Sequence, residues 1–152
     1  MFEFENTIRI NRPLAEVFAF LLDLENLSKW NYYVLQVRKR SDGPIRIGTI
    51  YHQVRKTDEQ ELRITELEPN HTLTVQTVPP SSPSLEMRFT LDAEADTTLI
   101  RDAWKLETGA PGLFERLGAR RIQSAVAENL TKLKELLEVG RVVLQDGREA
   151  TR

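Results

Sequence analysis

Six stretches of period-two alternation lie between residues 34 and 108, and the turns that separate them after the first are too short to hold a crossover helix. The stretches are 34–40, 49–56, 60–68, 72–78, 85–93 and 97–108. Ser41-Asp42-Gly43-Pro44, Thr57-Asp58-Glu59, Pro69-Asn70-His71, the proline-rich run Pro79-Pro80-Ser81-Ser82-Pro83 and Glu94-Ala95-Asp96 supply the turn chemistry between them. Consecutive hairpins of this kind build an antiparallel meander. From about 112 to 139 the apolar period changes to that of a helix, and Gly140 marks its stop. A sheet with one apolar face and a single long helix leaves one economical packing, helix on sheet, which is an α+β fold.

Upstream of the meander, Phe2, Phe4, Ile8 and Ile10 share one strand parity. Pro13 stands where a first helical turn tolerates a missing N–H, and Leu14, Val17, Phe18, Leu21 and Leu22 then repeat at three and four. A second short helix is expected over 24–29, closed by Trp30. One domain is expected over 1–139, followed by a flexible C-terminal tail over 140–152 that is polar apart from Val142, Val143 and Leu144.

Composition excludes several classes of function. The net charge of −2 argues against a nucleic-acid partner, which calls for a basic face. The absence of cysteine removes disulfides, thiolate metal sites and a cysteine nucleophile. His52 and His71 are the only histidines, so no protein metal site is expected, and no glycine-rich loop suggests a phosphate or dinucleotide cofactor. No apolar run approaches the roughly 20 residues of a membrane span, so no stable membrane insertion is expected. The opening Met-Phe-Glu-Phe-Glu-Asn lacks the pattern of a signal peptide, and a cytoplasmic location is the expectation.

Four blocks in fixed order carry a family resemblance. They are Ile8-x-Ile10-Asn11-Arg12-Pro13-x-x-Glu16-Val17-Phe18-Ala19-Phe20-Leu21, Asp23-x-Glu25-Asn26-Leu27-x-x-Trp30, Asp42-Gly43-Pro44-x-x-x-Gly48-Thr49 and Glu66-x-Glu68-Pro69. Over residues 5 to 139 the chain resembles the polyketide cyclase/dehydrase-like branch of the START/Bet v 1 (SRPBCC) superfamily. The resemblance implies a helix-grip fold, in which a curved antiparallel sheet of about seven strands wraps a long C-terminal helix and two short helices follow the first strand. It also implies a deep apolar cavity between sheet and helix.

Strand parity nominates the cavity-facing residues. Leu35 and Val37, Leu62 and Ile64, Leu73, Val75 and Thr77, Leu85, Met87, Phe89 and Leu91, and Ile100, Asp102, Trp104 and Leu106 share the inward parity. In the strand after Gly48, Ile50, His52 and Val54 are the more apolar set, with Tyr51 on the opposite parity. On the long helix, Ile122, Val126, Leu130, Leu133 and Leu137 form one stripe, whereas Leu113 and Leu117 lie almost opposite, the slip falling at Gly118. A kink, a break or a close approach to the backbone would each explain a glycine there. Gly118, Ala125 and Asn129 leave the upper stripe small or polar where a filled core wants bulk, which favours a cavity at the N-terminal half of the helix.

The expected ligand-binding set is therefore Trp30, Tyr51, Ile64, Val75, Met87, Phe89, Trp104, Leu106, Gly118, Ile122, Ala125 and Asn129. The mouth is expected where the 57–59 turn, the 79–83 loop and the 109–112 connection meet, beside Arg116 and Arg120. Asp102, aimed inward between Ile100 and Trp104, needs either a partner or a raised pKa. It is the candidate acid/base, with His52 or Tyr51 as companion. Two functions compete. One is binding of a hydrophobic small molecule such as a lipid, polyketide or isoprenoid, for transport, sequestration or sensing. The other is a cofactor-independent cyclase or dehydratase using Asp102 and His52.

Overall fold

The structure is a computed structural model that describes residues 1–81, 83–109 and 112–152. Strand β1 (Phe2–Ile10) leads into helix α1 (Leu14–Leu22) and a 3₁₀ turn (Leu24–Lys29). Six strands follow: β2 (Val34–Lys39), β3 (Ile50–Arg55), β4 (Glu59–Glu68), β5 (Thr72–Thr77), β6 (Ser84–Glu94) and β7 (Thr97–Glu107). Helix α2 (Gly112–Val139) and a small hairpin of β8 (Arg141–Val143) and β9 (Glu149–Thr151) complete the chain. The large sheet has the order β1-β7-β6-β5-β4-β3-β2 and every pairing in it is antiparallel. This is the expected meander, extended by β1, which pairs with β7 from Phe2 opposite Leu106 to Ile10 opposite Thr98.

Alternation turns Leu62, Ile64, Leu73, Val75, Phe89, Leu91, Ile100 and Leu106 to the buried face, where they share one core with Leu130, Leu133 and Leu137 of α2. Two strands depart from simple alternation. In β2 a register shift between Val34 and Gln36 leaves Val34 and Val37 buried and Leu35 44 % exposed, so Leu35 does not face inward as parity suggested. In β3 the inward residues are Tyr51 and Gln53, not Ile50, His52 and Val54. Cross-strand register decides this, because Tyr51 stands opposite the fully buried Leu62 and Gln53 opposite the buried Gln60, and directly opposed residues share a face.

Helix α2 runs uninterrupted through Gly118, and a Cβ placed there meets no atom within 4 Å. Neither a break nor a close backbone approach accounts for the apolar slip. Leu113 and Leu117 lie opposite the stripe because they are exposed. At the other end Gly140 takes φ +91°, and its N–H donates to the Leu136 carbonyl at 2.9 Å, the left-handed stop that glycine adopts without steric cost.

Beyond Gly140 the 140–152 segment is not a loose tail. It folds as the β8–β9 hairpin, buries Val142 and Leu144, and is tied to α2 by Lys132 Nζ donating to the Val143 carbonyl at 2.9 Å. Two apolar side chains with a place to dock outweigh the polarity of their neighbours.

The Asn11-Arg12 segment clamps the end of α2. Arg12 Nε and Nη2 donate to the carbonyls of Leu137 and Glu138 at 2.9 and 3.0 Å, and Asn11 N donates to Glu138 Oε2 at 2.7 Å. A guanidinium on the last carbonyls satisfies acceptors left without a helical partner and complements the negative end of the helix. Arg12→Ala is expected to cost about 1–2 kcal/mol, a fall in Tm of roughly 2–8 °C by thermal melting. An unchanged Tm would show the clamp to be dispensable.

Candidate functional site

Between the sheet and the middle of α2 lies a cavity of about 290 Å³. Ile122, Ala125, Val126 and Asn129 form its helical wall, with Leu62, Leu85, Met87 and Trp104 on the sheet and Leu27 and Val34 beside the 3₁₀ turn. The helical residues recur at three and four, so one face of α2 supplies them all. The opening is set at mid-helix, not in the first turns. Small Ala125 and polar Asn129 stand where bulk would have closed the gap.

Polar groups are few and unevenly committed. Arg55 reaches the cavity, but its Nε and Nη2 are held by Asp58 at 2.7 and 2.5 Å, and that hydrogen-bonded guanidinium keeps the Asp58 carboxyl below its usual range. Arg121 also lines the cavity and makes no hydrogen bond or ion pair among the described residues. Asn129, which lines the cavity, accepts from the Tyr32 N–H through its Oδ1 at 3.2 Å, and its side-chain amide N–H groups make no hydrogen bond among the described residues. The buried Gln53 amide adds a further donor and acceptor. The site is an apolar chamber with uncommitted donors, one of them cationic.

The wall segment around Tyr33 and Val34 is held from two sides. Asn129 binds Tyr32 N, and Arg148 of the C-terminal hairpin donates to the carbonyls of Val34 and Tyr32 at 3.1 and 2.7 Å. Asp146 fixes that arginine at 2.8 Å and accepts from Lys56 at 2.9 Å, and these hydrogen bonds pull the Asp146 carboxyl down to about 2. Lys56 Nζ in turn lies 4.4 Å from the centre of the Tyr32 ring. The hairpin therefore braces the cavity.

Of the residues expected to bind ligand, Met87, Trp104, Ile122, Ala125 and Asn129 line this cavity. Trp30, Tyr51, Ile64, Val75, Phe89 and Leu106 are buried in the core and do not border it, and Gly118 lies outside it. Thr57 and Pro83 border it, as expected of the mouth, whereas Arg116 and Arg120 do not and Arg121 does. Residues 82, 110 and 111 of the expected rim lie outside the described residues. Sequence reading missed Gln53, Arg121 and Val34; the first and last follow from the β3 register and the β2 bulge. Arg121 is legible as a helix position next to Ile122.

His52 and Asp102 are not brought together. His52 projects from the other face of β3, 3.5 Å from Glu59, in a shallow groove with Pro79 and Pro80. Asp102 is 1 % exposed and accepts from Trp104 Nε1 at 3.0 Å, and burial pushes its carboxyl up to about 7 against the opposing pull of that indole bond. Phe4 stacks on Trp104 at 5.6 Å between centroids. Asp102 therefore orients a cavity wall without bordering the cavity. Tyr51 is likewise buried, its phenol pushed up to about 12 by burial and by Asp23 and Glu25.

A curved antiparallel sheet wrapped on one long helix has known relatives. The family described as "Polyketide cyclase / dehydrase and lipid transport" matches residues 1–138. The chain belongs to this family. Among solved structures, a START superfamily protein from Mycobacterium smegmatis superposes with a TM-score of 0.71 at 13 % identity, covering 89 % of this chain and 98 % of that one. The protein XoxI from Bacillus cereus superposes with a TM-score of 0.72 at 12 % identity, covering 91 % and 98 %. A crystal structure from Deinococcus radiodurans gives 0.67 at 14 % identity, covering 91 % and 99 %. Similarity at this level shows a common helix-grip fold. No curated protein matches the sequence.

Proposed function

We propose that the protein binds a small amphipathic molecule, with its apolar body between Trp104, Met87 and Val126 and an anionic or hydrogen-bond-accepting head at Arg121 and Asn129, for carriage or sequestration. The observation that carries this reading is an apolar chamber whose uncommitted polar groups are mainly donors. Its volume of about 290 Å³ lies just below the usual range for ligand pockets, about 300–1,000 Å³, which favours a compact lipid or polyketide fragment over a long-chain phospholipid. The family's description, which joins lipid transport to polyketide chemistry, is consistent with a hydrophobic cargo.

Cyclisation or dehydration needs an acid/base within hydrogen-bond reach of the substrate. With His52 on the opposite face and Asp102 committed to Trp104 outside the cavity wall, binding is the better-supported reading. Native mass spectrometry and organic extraction of the purified protein test for a carried molecule. In titrations with medium-chain fatty acids, Arg121→Gln is expected to weaken the carboxylate about tenfold or more while leaving the matching alcohol within about twofold. Equal losses for acid and alcohol would remove Arg121 from the head-group role. No binding of any apolar probe would sink the cavity-based function.

A further inference from the structure

We propose that the first turns of α2 form a docking surface for an anionic lipid bilayer. Leu113 and Phe114 are each 69 % exposed and Leu117 is 55 % exposed, three large apolar side chains within five residues. At 100° per residue, Leu113, Phe114, Leu117, Arg120, Arg121 and Ser124 share the outward side, with Arg116 at its edge. Glu115, the only acid between residues 112 and 124, is buried on the other side.

The three arginines make no ion pair among the described residues, whereas cations on the outer face of the sheet such as Arg88 and Arg101 are matched by Glu66 and Asp92. A protein of net charge −2 thus presents one helical face that is both apolar and cationic. That combination is complementary to an anionic bilayer, where apolar side chains enter the headgroup boundary and guanidinium groups meet phosphate. Complementarity of charge also tells against a second copy of the same face, because three unpaired cations would meet three more.

The docking is peripheral, since no helix among the described residues is long and apolar enough to cross a membrane. Arg121, four residues beyond Leu117, also lines the cavity, so the docking face runs into the cavity's polar end. The proposal goes beyond small-molecule binding and does not rest on it, because vesicle binding is read with no ligand added.

The test is flotation of the full chain with phosphatidylcholine vesicles, with and without phosphatidylglycerol, at low and high salt. Binding is expected to the mixed vesicles alone and to fall with salt. Arg116→Gln with Arg120→Gln is expected to weaken it about twenty-five-fold, roughly fivefold for each charge removed. Phe114→Ser with Leu117→Ser is expected to weaken it about tenfold or more. Circular dichroism establishes that these surface variants fold, and neither pair touches the cavity lining. The proposal is overturned by a wild-type chain that floats with neither vesicle, by binding that both double variants leave unchanged, or by light scattering that shows a dimer which the apolar pair converts to monomer.

Discussion

Asp102→Asn is expected to abolish most of the change in stability between pH 4 and pH 7 and to make the protein more stable than wild type at pH 8. The carboxyl is an acid whose folded pKa, about 7, is raised above its unfolded value of 3.8. Below the unfolded value both states hold the proton and the group carries no penalty. As pH rises the unfolded state releases it first, so stability falls until the folded state also ionises near 7. About three pKa units correspond to a loss on the order of 4 kcal/mol across that window.

Asp58, Glu66 and Glu138 are shifted the other way, so their contributions are present above the ordinary carboxylate range and are lost as pH falls through their lowered values. They act from the ordinary carboxylate values of 3.8 and 4.5 downward, and so overlap only the acid edge of the window assigned to Asp102. Asparagine keeps an oxygen for the Trp104 N–H and cannot ionise. Thermal melts of both proteins from pH 4 to 8 check this, and parallel curves would remove Asp102 as the cause.

Ala125→Phe is expected to reduce the affinity for apolar probes about a hundredfold or more while leaving the fold intact. Ala125 borders the cavity from α2, and a helix projects each Cβ in a fixed direction. A phenyl ring at that position takes up the space a ligand would use. Filling a void regains dispersion contacts, so Tm is expected to hold or rise by a few degrees, with local overpacking limiting the gain. Ser124→Phe, on the exposed side of the same helix, serves as the control and leaves binding unchanged. Full-strength binding to Ala125→Phe would place the ligand elsewhere. Binding lost together with cooperative melting would instead report a damaged core.

Residue patterns made the meander, the two short helices and the long helix legible, because periods of two and 3.6 and the turn residues between them are local properties. The inward parity of β4 to β7 was equally readable: Leu62, Val75, Phe89 and Trp104 are buried as alternation requires. In β3 the apolar count misled, since Ile50 and Val54 are half-buried on the outer face while Tyr51 and Gln53 are sealed inside by their register with β4. In β2 the bulge reversed Leu35. The candidate site was legible in part. Met87 and Trp104 border the cavity, yet Phe89 and Leu106, on the same strands and parity, are buried without bordering it.

Parity reports the face on which a side chain stands, and depth along that face depends on where the helix and the curved sheet part company. Alternation, turn chemistry and one amphipathic stripe were sufficient by themselves to determine an antiparallel meander covered by one long helix, since each arises from the backbone geometry of a few neighbouring residues, and the family resemblance of the four sequence blocks added the helix-grip arrangement. Tertiary structure alone decided that the gap falls between Ala125 and Trp104, that Arg121 is the cation left free beside it, and that Arg148 from the last hairpin braces its wall. These outcomes depend on volumes and hydrogen bonds between residues up to a hundred or more positions apart, which no local period encodes.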